Sequence, residues 1–128
     1  MEITLSLQQA SEPVAVMRLQ GDIDASNFVQ IVDKAQEIHK NPARNLILDL
    51  SDVPSISSTG LAAIHKIALL YSGVSDSMKH PNLTHSGTAR KRVKLLSPQP
   101  AVEKALDNAG MSLFFKVFRD LDSALKSF

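Results

Sequence analysis

Apolar and polar residues alternate at the start of the chain, and this period of two is typical of a β-strand with one apolar face. The alternation runs from Ile3 to Leu7 and resumes at Val14 and Val16, after a polar turn over residues 9–13. Two such strands joined by a short turn predict an antiparallel pair at the start of the fold.

Farther along, apolar residues recur at every third or fourth position, which is the spacing of one face of an α-helix. The pattern predicts four helices, over residues 26–40, 58–71, 98–109 and 121–128. Ser97 followed by Pro98 predicts the start of the third helix, and Gly110 predicts its end. Asp120 is predicted to cap the last helix, because its side chain can accept hydrogen bonds from the first turn.

Short apolar runs predict further strands at residues 45–50, 92–96 and 113–118. The resulting order, β-β-α-β-α-β-α-β-α, predicts an α/β fold with a mixed, mostly parallel sheet, an antiparallel edge pair and about four helices. The length of 128 residues fits a single domain over residues 1–128. Residues 72–91 are rich in Gly, Pro, Ser and Thr and predict a long flexible loop.

Composition removes several functional classes from consideration. The net charge is +1, so electrostatics gives no reason to expect a nucleic-acid or membrane partner. The chain has no cysteine, which excludes disulfides, thiol chemistry and zinc held by cysteine. It also lacks an apolar run of the ~18 residues that a membrane span needs, and its first residues do not resemble a signal peptide. We therefore expect a cytoplasmic protein.

Catalytic patterns are missing from the sequence, which contains no nucleophile elbow, phosphate-binding loop, dinucleotide fingerprint or zinc-protease motif. Ser58 would need a base beside it, but His65 follows seven residues later, ~10 Å along a helix axis. His80 and His85 share the polar loop and would need further ligands to hold a metal. We expect no catalytic residues, no metal, no cofactor and no enzymatic activity.

A basic cluster formed by Arg90, Lys91, Arg92 and Lys94 follows the predicted loop. Aromatic residues, which would stack on bases, are not interleaved with these cations. We interpret the cluster as the charged end of a solvated loop that leads into an edge strand.

Small polar residues, Ser57 to Gly60, lie where the predicted central strand leads into the second helix. Such a turn either caps the helix or forms a working site, because free N–H groups and the helix dipole also favour a phosphate. Three consecutive hydroxyl residues exceed what one cap needs. Open α/β sheets place their sites at the carboxyl ends of strands, so the position also favours a working site.

Two motifs carry a resemblance to a known family. One is Leu48-Asp49-Leu50-Ser51-x-Val53-x-x-Ile56-x-Ser58-Thr59-Gly60-Leu61, and the other is Gly21-Asp22-Ile23-Asp24 upstream. Together they resemble the signature of STAS domains, which include the bacterial anti-sigma factor antagonists. Similarity extends to residues 95–98, 109–111 and 115–120 but not to residues 73–91. Ser57 stands where the family has an aspartate.

The resemblance implies a STAS-like fold and an anti-sigma factor antagonist that regulates transcription indirectly. It implies that an anti-sigma factor serine kinase phosphorylates Ser58, with Thr59 as the alternative, and that a PP2C-type phosphatase reverses the modification. The unphosphorylated chain then binds the kinase, and the expected recognition residues are Asp22, Asp24, Ser57, Ser58, Thr59 and Gly60. The chain is expected to be a monomer or weak dimer, with no direct contact to nucleic acid and no membrane insertion.

An alternative is kept open at this point. STAS domains also occur beside anion transporters and in lipid-transport complexes, where they work as interaction modules without phosphorylation. A pocket for an acyl chain or a nucleotide is a weaker third hypothesis, because the sequence contains no phosphate loop or ligand signature.

Overall fold

A computed structural model describes residues 1–9, 12–40, 45–71, 92–111 and 115–128 of the chain. The described residues form strands β1 (Glu2–Gln9), β2 (Pro13–Gln20), β3 (Asn45–Asp52), β4 (Val93–Leu96) and β5 (Lys116–Phe118). They also form helices α1 (Phe28–Lys40), α2 (Ser58–Tyr71), α3 (Pro100–Asn108) and α4 (Leu121–Lys126). The order of these elements along the chain is the predicted one.

The five strands form one mixed sheet in the order β1-β2-β3-β4-β5. β1 is antiparallel to β2, and each of the remaining neighbouring pairs is parallel. β3 occupies the centre, as predicted for the apolar run that begins at Asn45. The predicted α/β class, with its antiparallel edge pair and mostly parallel sheet, is therefore confirmed.

Helices cover the sheet unequally. On one face, buried residues of β2, β3 and β4 pack against α1, α2 and α3 in the main core, which includes Met17, Leu48, Ile64 and Leu106. On the other face, Val14, Val16, Ile47 and Leu96 pack against Ala124 of α4. Strand β2 is thus apolar on both faces, because Ala15 and Met17 lie in the main core while Val14 and Val16 lie in the other. The alternation predicted for this strand is therefore wrong, and its apolar run is typical of a strand that is buried on both faces.

The predicted start of α3 is wrong by two residues. The helix begins at Pro100, and Gln99 precedes it as the capping residue without a side-chain capping bond. Ser97 instead has a φ of 51°, and its backbone N–H donates to the Phe118 carbonyl at 2.8 Å. Pro98 and Pro100 both suit a first helical position. The bond from Ser97 to β5 keeps the neighbouring Pro98 in the turn, so the helix begins at Pro100. The predicted end at Gly110 and the Asp120 cap of α4 are confirmed.

The interpretation of the basic cluster is wrong for its described members. β4 lies between β3 and β5, so it is not an edge strand. Lys94 is buried, with its Nζ 5.3 Å from the centre of the Phe128 ring. Arg92 is half-buried and donates to Asn45 Oδ1 at 3.0 Å and to Glu12 Oε1 at 3.3 Å. Burial of the long apolar stems of these side chains offsets the cost of placing cations there.

Several predictions fall on residues outside the described ranges. These are the loop over residues 72–91, the histidines His80 and His85 within it, and the first part of the strand predicted over residues 113–118. Among the described helices, none combines the length and apolar character needed to cross a membrane.

Candidate functional site

The polar turn before α2 begins that helix through a side-chain cap. Ser57 accepts hydrogen bonds through its carbonyl from Leu61 N at 2.8 Å and through Oγ from Gly60 N at 3.1 Å. Ser57 is therefore the N-cap, a position at which a hydroxyl oxygen satisfies an N–H group that has no helical partner. Ser58 and Thr59 are then the first two residues of the helix, and both are exposed.

The upstream Gly21-Asp22-Ile23-Asp24 segment runs beside this turn and is bonded to it through the backbone. Ile23 N donates to Ser55 O at 3.1 Å, and Ile23 O accepts from Ser57 N at 2.9 Å. Ile23 and Ile56 thereby form an isolated parallel bridge next to the sheet. Ile23 and Ser57 are more than thirty residues apart in the chain, yet their bond joins the two sequence motifs into one structural unit.

Gly60 permits this unit to form at close range. A Cβ atom added at this position would lie 2.5 Å from Ile23 O and 2.8 Å from Ile56 Cγ1. Real side chains do not approach backbone oxygens so closely, so only glycine lets the first turn of α2 pack on this segment. Gly60 is itself buried, unlike the three hydroxyl residues before it. Its role in the structure is close packing, and its predicted role in recognition stays a prediction.

Asp24 is held by the turn that leads into α1. Its Oδ1 accepts from Ser26 Oγ at 2.5 Å and from Ser26 N at 2.9 Å. The Ser26 hydroxyl, and next its backbone N–H, lower the pKa of Asp24 below the usual 3.8 because both bonds favour the ionised carboxylate. Asp24 is therefore an anion at neutral pH, half-buried beside the α2 turn, while Asp22 is exposed.

Asn27 supports the same segment and was not identified from the sequence. It is 7% exposed, accepts from Asp24 N through Oδ1 at 3.0 Å, and donates from Nδ2 to Asp22 O at 2.7 Å. One side chain thus fixes the backbone of both aspartates. The available signal was the Asp24-x-x-Asn27 spacing, since Asn and Asp three residues apart favour turns at the start of helices.

Neighbouring acids at the end of β3 are already engaged in bonds. Asp52 forms an ion pair with Arg18 and accepts from Gln20 Nε2 at 3.4 Å. Asp49 accepts from both Ser51 N at 3.0 Å and Ser51 Oγ at 2.7 Å. These acids hold the end of β3, whereas Asp22 and Asp24 belong to the segment that is bonded to the α2 turn through Ile23.

The Ser58 hydroxyl forms no hydrogen bond with the described part of the chain and is open to solvent. His65 lies two turns further along the same helix, too far to act as a base for it. Three or more carboxylate or histidine side chains do not gather anywhere in the described ranges as a metal site would require. The arrangement offers an accessible hydroxyl at the positive end of a helix dipole, on a turn bonded to the segment that carries the fixed Asp24 carboxylate.

Comparisons with solved structures identify the fold. A protein from Thermotoga maritima superposes with a TM-score of 0.76 at 19% identity, covering 97% of this chain and 92% of that chain. An anti-sigma factor antagonist from Mycobacterium paratuberculosis gives 0.69 at 20% identity, with 98% and 93% covered. The phosphorylated Bacillus cell fate determinant SpoIIAA gives 0.60 at 17% identity, with 94% and 96% covered. These likenesses establish a common fold.

Comparison with curated proteins found no match. The family model described as the STAS domain matches residues 7–72, just over half of the chain. This segment extends from β1 to the end of α2 and includes both motifs of the candidate site. On this evidence the chain belongs to the STAS domain family.

Proposed function

We propose that this chain is an anti-sigma factor antagonist whose association with an anti-sigma factor is switched by phosphorylation of Ser58. The observation that carries the proposal is the exposed Ser58 hydroxyl at the first position of α2, directly after the Ser57 cap. The docking surface comprises Ser57 to Gly60 together with Asp22 and Asp24. Thr59, the next exposed hydroxyl residue, is the alternative acceptor.

Phosphate at this position acts on the partner rather than on the fold. It adds about −1.5 to −2 charges at neutral pH, which the positive end of a helix dipole tolerates. A partner docked on the same turn would have to desolvate that dianion, and any acidic group that the partner places against the turn would be repelled by it. A modest local change therefore weakens association without requiring the chain to refold.

Ser57 suits this role although the family has an aspartate there. It satisfies Gly60 N, so the α2 turn is capped without a carboxylate. A neutral neighbour also removes one source of repulsion for a phosphate on Ser58, because two adjacent anions disfavour each other. Asp24, whose carboxylate is fixed by Ser26, remains a charged member of the proposed docking surface.

The partners follow from the proposed chemistry. A serine kinase, the anti-sigma factor itself, binds ATP and transfers its γ-phosphoryl group to Ser58 Oγ, which releases ADP and the hydroxyl proton. A PP2C-type phosphatase hydrolyses the phosphoserine with water and releases inorganic phosphate. The chain acts as a binding protein in the bacterial cytoplasm and affects transcription through its partner. SpoIIAA gives a TM-score of 0.60 in both its unphosphorylated and phosphorylated forms, which supports a switch that keeps the fold.

Phosphorylation in vitro tests the proposal. The protein is incubated with ATP and anti-sigma factor kinases encoded in the same genome, and mass spectrometry locates the phosphate. We expect phosphate on Ser58 and a loss of at least about tenfold in affinity for the kinase, measured by calorimetry. Ser58→Ala should bind but not switch, and Ser6→Ala, at an exposed serine of β1, should behave as wild type.

Two results would contradict the switch. One is a Ser58→Ala, Thr59→Ala double variant that still loses affinity when treated with ATP. The other is tight binding to the STAS-associated subunits of a transporter or lipid-transport complex with no phosphorylation by any anti-sigma factor kinase. The second result would instead favour an interaction module that works without phosphorylation.

A further inference from the structure

The first strand exposes the side chains that its sequence pattern suggests are buried. Leu5 lies opposite Met17 and Leu7 lies opposite Ala15 in the antiparallel ladder with β2. Opposite residues in such a ladder share a face, so both leucines lie on the face that carries the main core. Yet Leu5 is 42% exposed and Leu7 is 69% exposed, whereas Met17 and Ala15 are buried.

A groove explains this exposure. A cavity of about 270 Å³ lies between β1 and the last turns of α1, lined by Leu5, Leu7, Ala15 and Ile38, with Glu37 at its margin. The described elements therefore leave an apolar strip exposed along the β1 edge of the sheet, formed by Leu5 and Leu7.

The two edges of the sheet differ in how they resist pairing with another strand. β5 is three residues long and contains Lys116, features that discourage a further strand from adding. β1 is eight residues long, and it contains neither lysine nor proline and has a single charge, at Glu2. Its outer backbone groups form a ladder with no other strand of the described chain. β1 is therefore the edge open to strand addition.

We propose that a second copy of this chain pairs along β1, antiparallel and around a two-fold axis, to form a continuous ten-stranded sheet. Self-pairing of this kind uses the same surface on both copies. Opposite residues again share a face, so the leucines of both copies form one apolar patch beside the two α1 helices. Antiparallel pairing also places the two Glu2 carboxylates at opposite ends of the interface, without like-charge contact.

The size of the contact predicts a reversible dimer. Eight residues of strand span about 27 Å, and a sheet with one helix layer is roughly 20 Å thick. The two copies together would then bury roughly 1,000 Å², which is near the lower limit for specific interfaces. We expect dimer and monomer to exchange as concentration changes, rather than a permanent assembly.

This inference does not depend on the proposed function, because β1 is outside the surface that contains Ser58. Sedimentation equilibrium of the full chain, from low micromolar to near-millimolar concentration, should show the mass rising from 13.9 kDa towards twice that value. Leu7→Lys should weaken the dimer at least about tenfold, since edge lysines oppose strand addition. Val29→Lys is the matched control, at an apolar residue of α1 that is 65% exposed, and should dimerise normally.

Hydrogen exchange supplies a second readout that does not rely on a variant. Amides of β1 should become more protected as concentration rises, while those of β5 should not change. A chain that stays monomeric at every concentration overturns the proposal, even if β1 is then protected by a different protein. A dimer that Leu7→Lys leaves intact also overturns it. Neither result bears on phosphorylation of Ser58.

Discussion

Gly60 is the residue at which the helix that carries Ser58 contacts the segment that carries the two aspartates. Substitution by alanine places a Cβ atom 2.5 Å from the Ile23 carbonyl oxygen, so α2 or the segment must shift. We expect Gly60→Ala to lower the free energy of unfolding by about 1–3 kcal/mol, the usual cost of overpacking. Chemical denaturation followed by circular dichroism measures the change.

Lys66→Ala is the matched control for this prediction, because Lys66 is exposed on the same helix. Its free energy of unfolding should stay within about 0.5 kcal/mol of the wild-type value. If Gly60→Ala proved as stable as Lys66→Ala, the close contact with Ile23 would not be a constraint on the fold.

Asp24 provides a prediction about pH. Its pKa is lowered in the folded chain, chiefly by the Ser26 hydroxyl, so the ionised carboxylate stabilises the fold above the unfolded value of 3.8. That stabilisation is lost as the pH falls through the lowered, folded pKa. We expect Ser26→Ala to raise the pKa of Asp24 towards 3.8, although the Ser26 backbone N–H still donates. Titration of the Asp24 carboxyl carbon by NMR measures both values.

Ser123→Ala is the control here, because Ser123 bonds to Asp120 at the start of α4 and not to Asp24. An Asp24 titration midpoint that does not move in Ser26→Ala would show that the hydroxyl bond is not what lowers the pKa.

At the scale of elements, α1 and α2 are joined by one buried hydroxyl. Tyr71 is 3% exposed, its OH donates to Ala35 O at 3.1 Å, and its ring meets the His39 ring edge-on at 4.7 Å between centroids. Burial raises the pKa of Tyr71 above its usual range, so the phenol stays protonated and keeps donating. Tyr71→Phe should cost about 0.5–1.5 kcal/mol, measured by denaturant unfolding.

Tyr71→Leu removes the ring as well and should destabilise the chain more than Tyr71→Phe does. Equal stability of wild type and Tyr71→Phe would mean that water replaces the bond to Ala35 at no cost.

The elements predicted best are those whose signals are local. Helix α2 was predicted from Ser58 to Tyr71 as observed, because its cap and its apolar spacing both lie within the segment itself. The start of α3 depends instead on a bond from Ser97 to the Phe118 carbonyl, twenty-one residues away, and local sequence does not contain that information. The interior position of β4 likewise depends on β5, so Lys94 was expected at an edge and is buried.

The residues of the candidate site divide in the same way, into those that local sequence identifies and those that only the folded chain reveals. Ser57 and Ser58 were identified from local hydroxyl spacing, whereas the bond between Ile23 and Ser57 needed the folded chain. Asn27 was missed because its importance lies in bonds to Asp22 and Asp24 rather than in a catalytic side chain. Exposure of Leu5 and Leu7 was also beyond the sequence, since alternation predicts a strand but not what covers it.

At the scale of the whole molecule, the proposed switch lies where it changes the surface and leaves the core untouched. Ser57, Ser58 and Thr59 are all exposed, whereas the cores on both faces of the sheet are built from buried apolar side chains. Phosphorylation would change the net charge of the chain from +1 to about −1, while the packing of the buried side chains stays the same. A rigid fold with a variable surface is what a reversible binding switch needs.

This separation predicts that phosphorylation at Ser58 leaves the fold and its stability intact. A dianion at the first position of α2 interacts favourably with the helix dipole, so the free energy of unfolding should be unchanged or higher by up to about 1 kcal/mol. Denaturant unfolding of the phosphorylated and unphosphorylated proteins, compared in the same buffer, measures this difference. A phosphorylated chain that loses more than about 1 kcal/mol would contradict this prediction, because the phosphate would then act on the fold as well as on the docking surface.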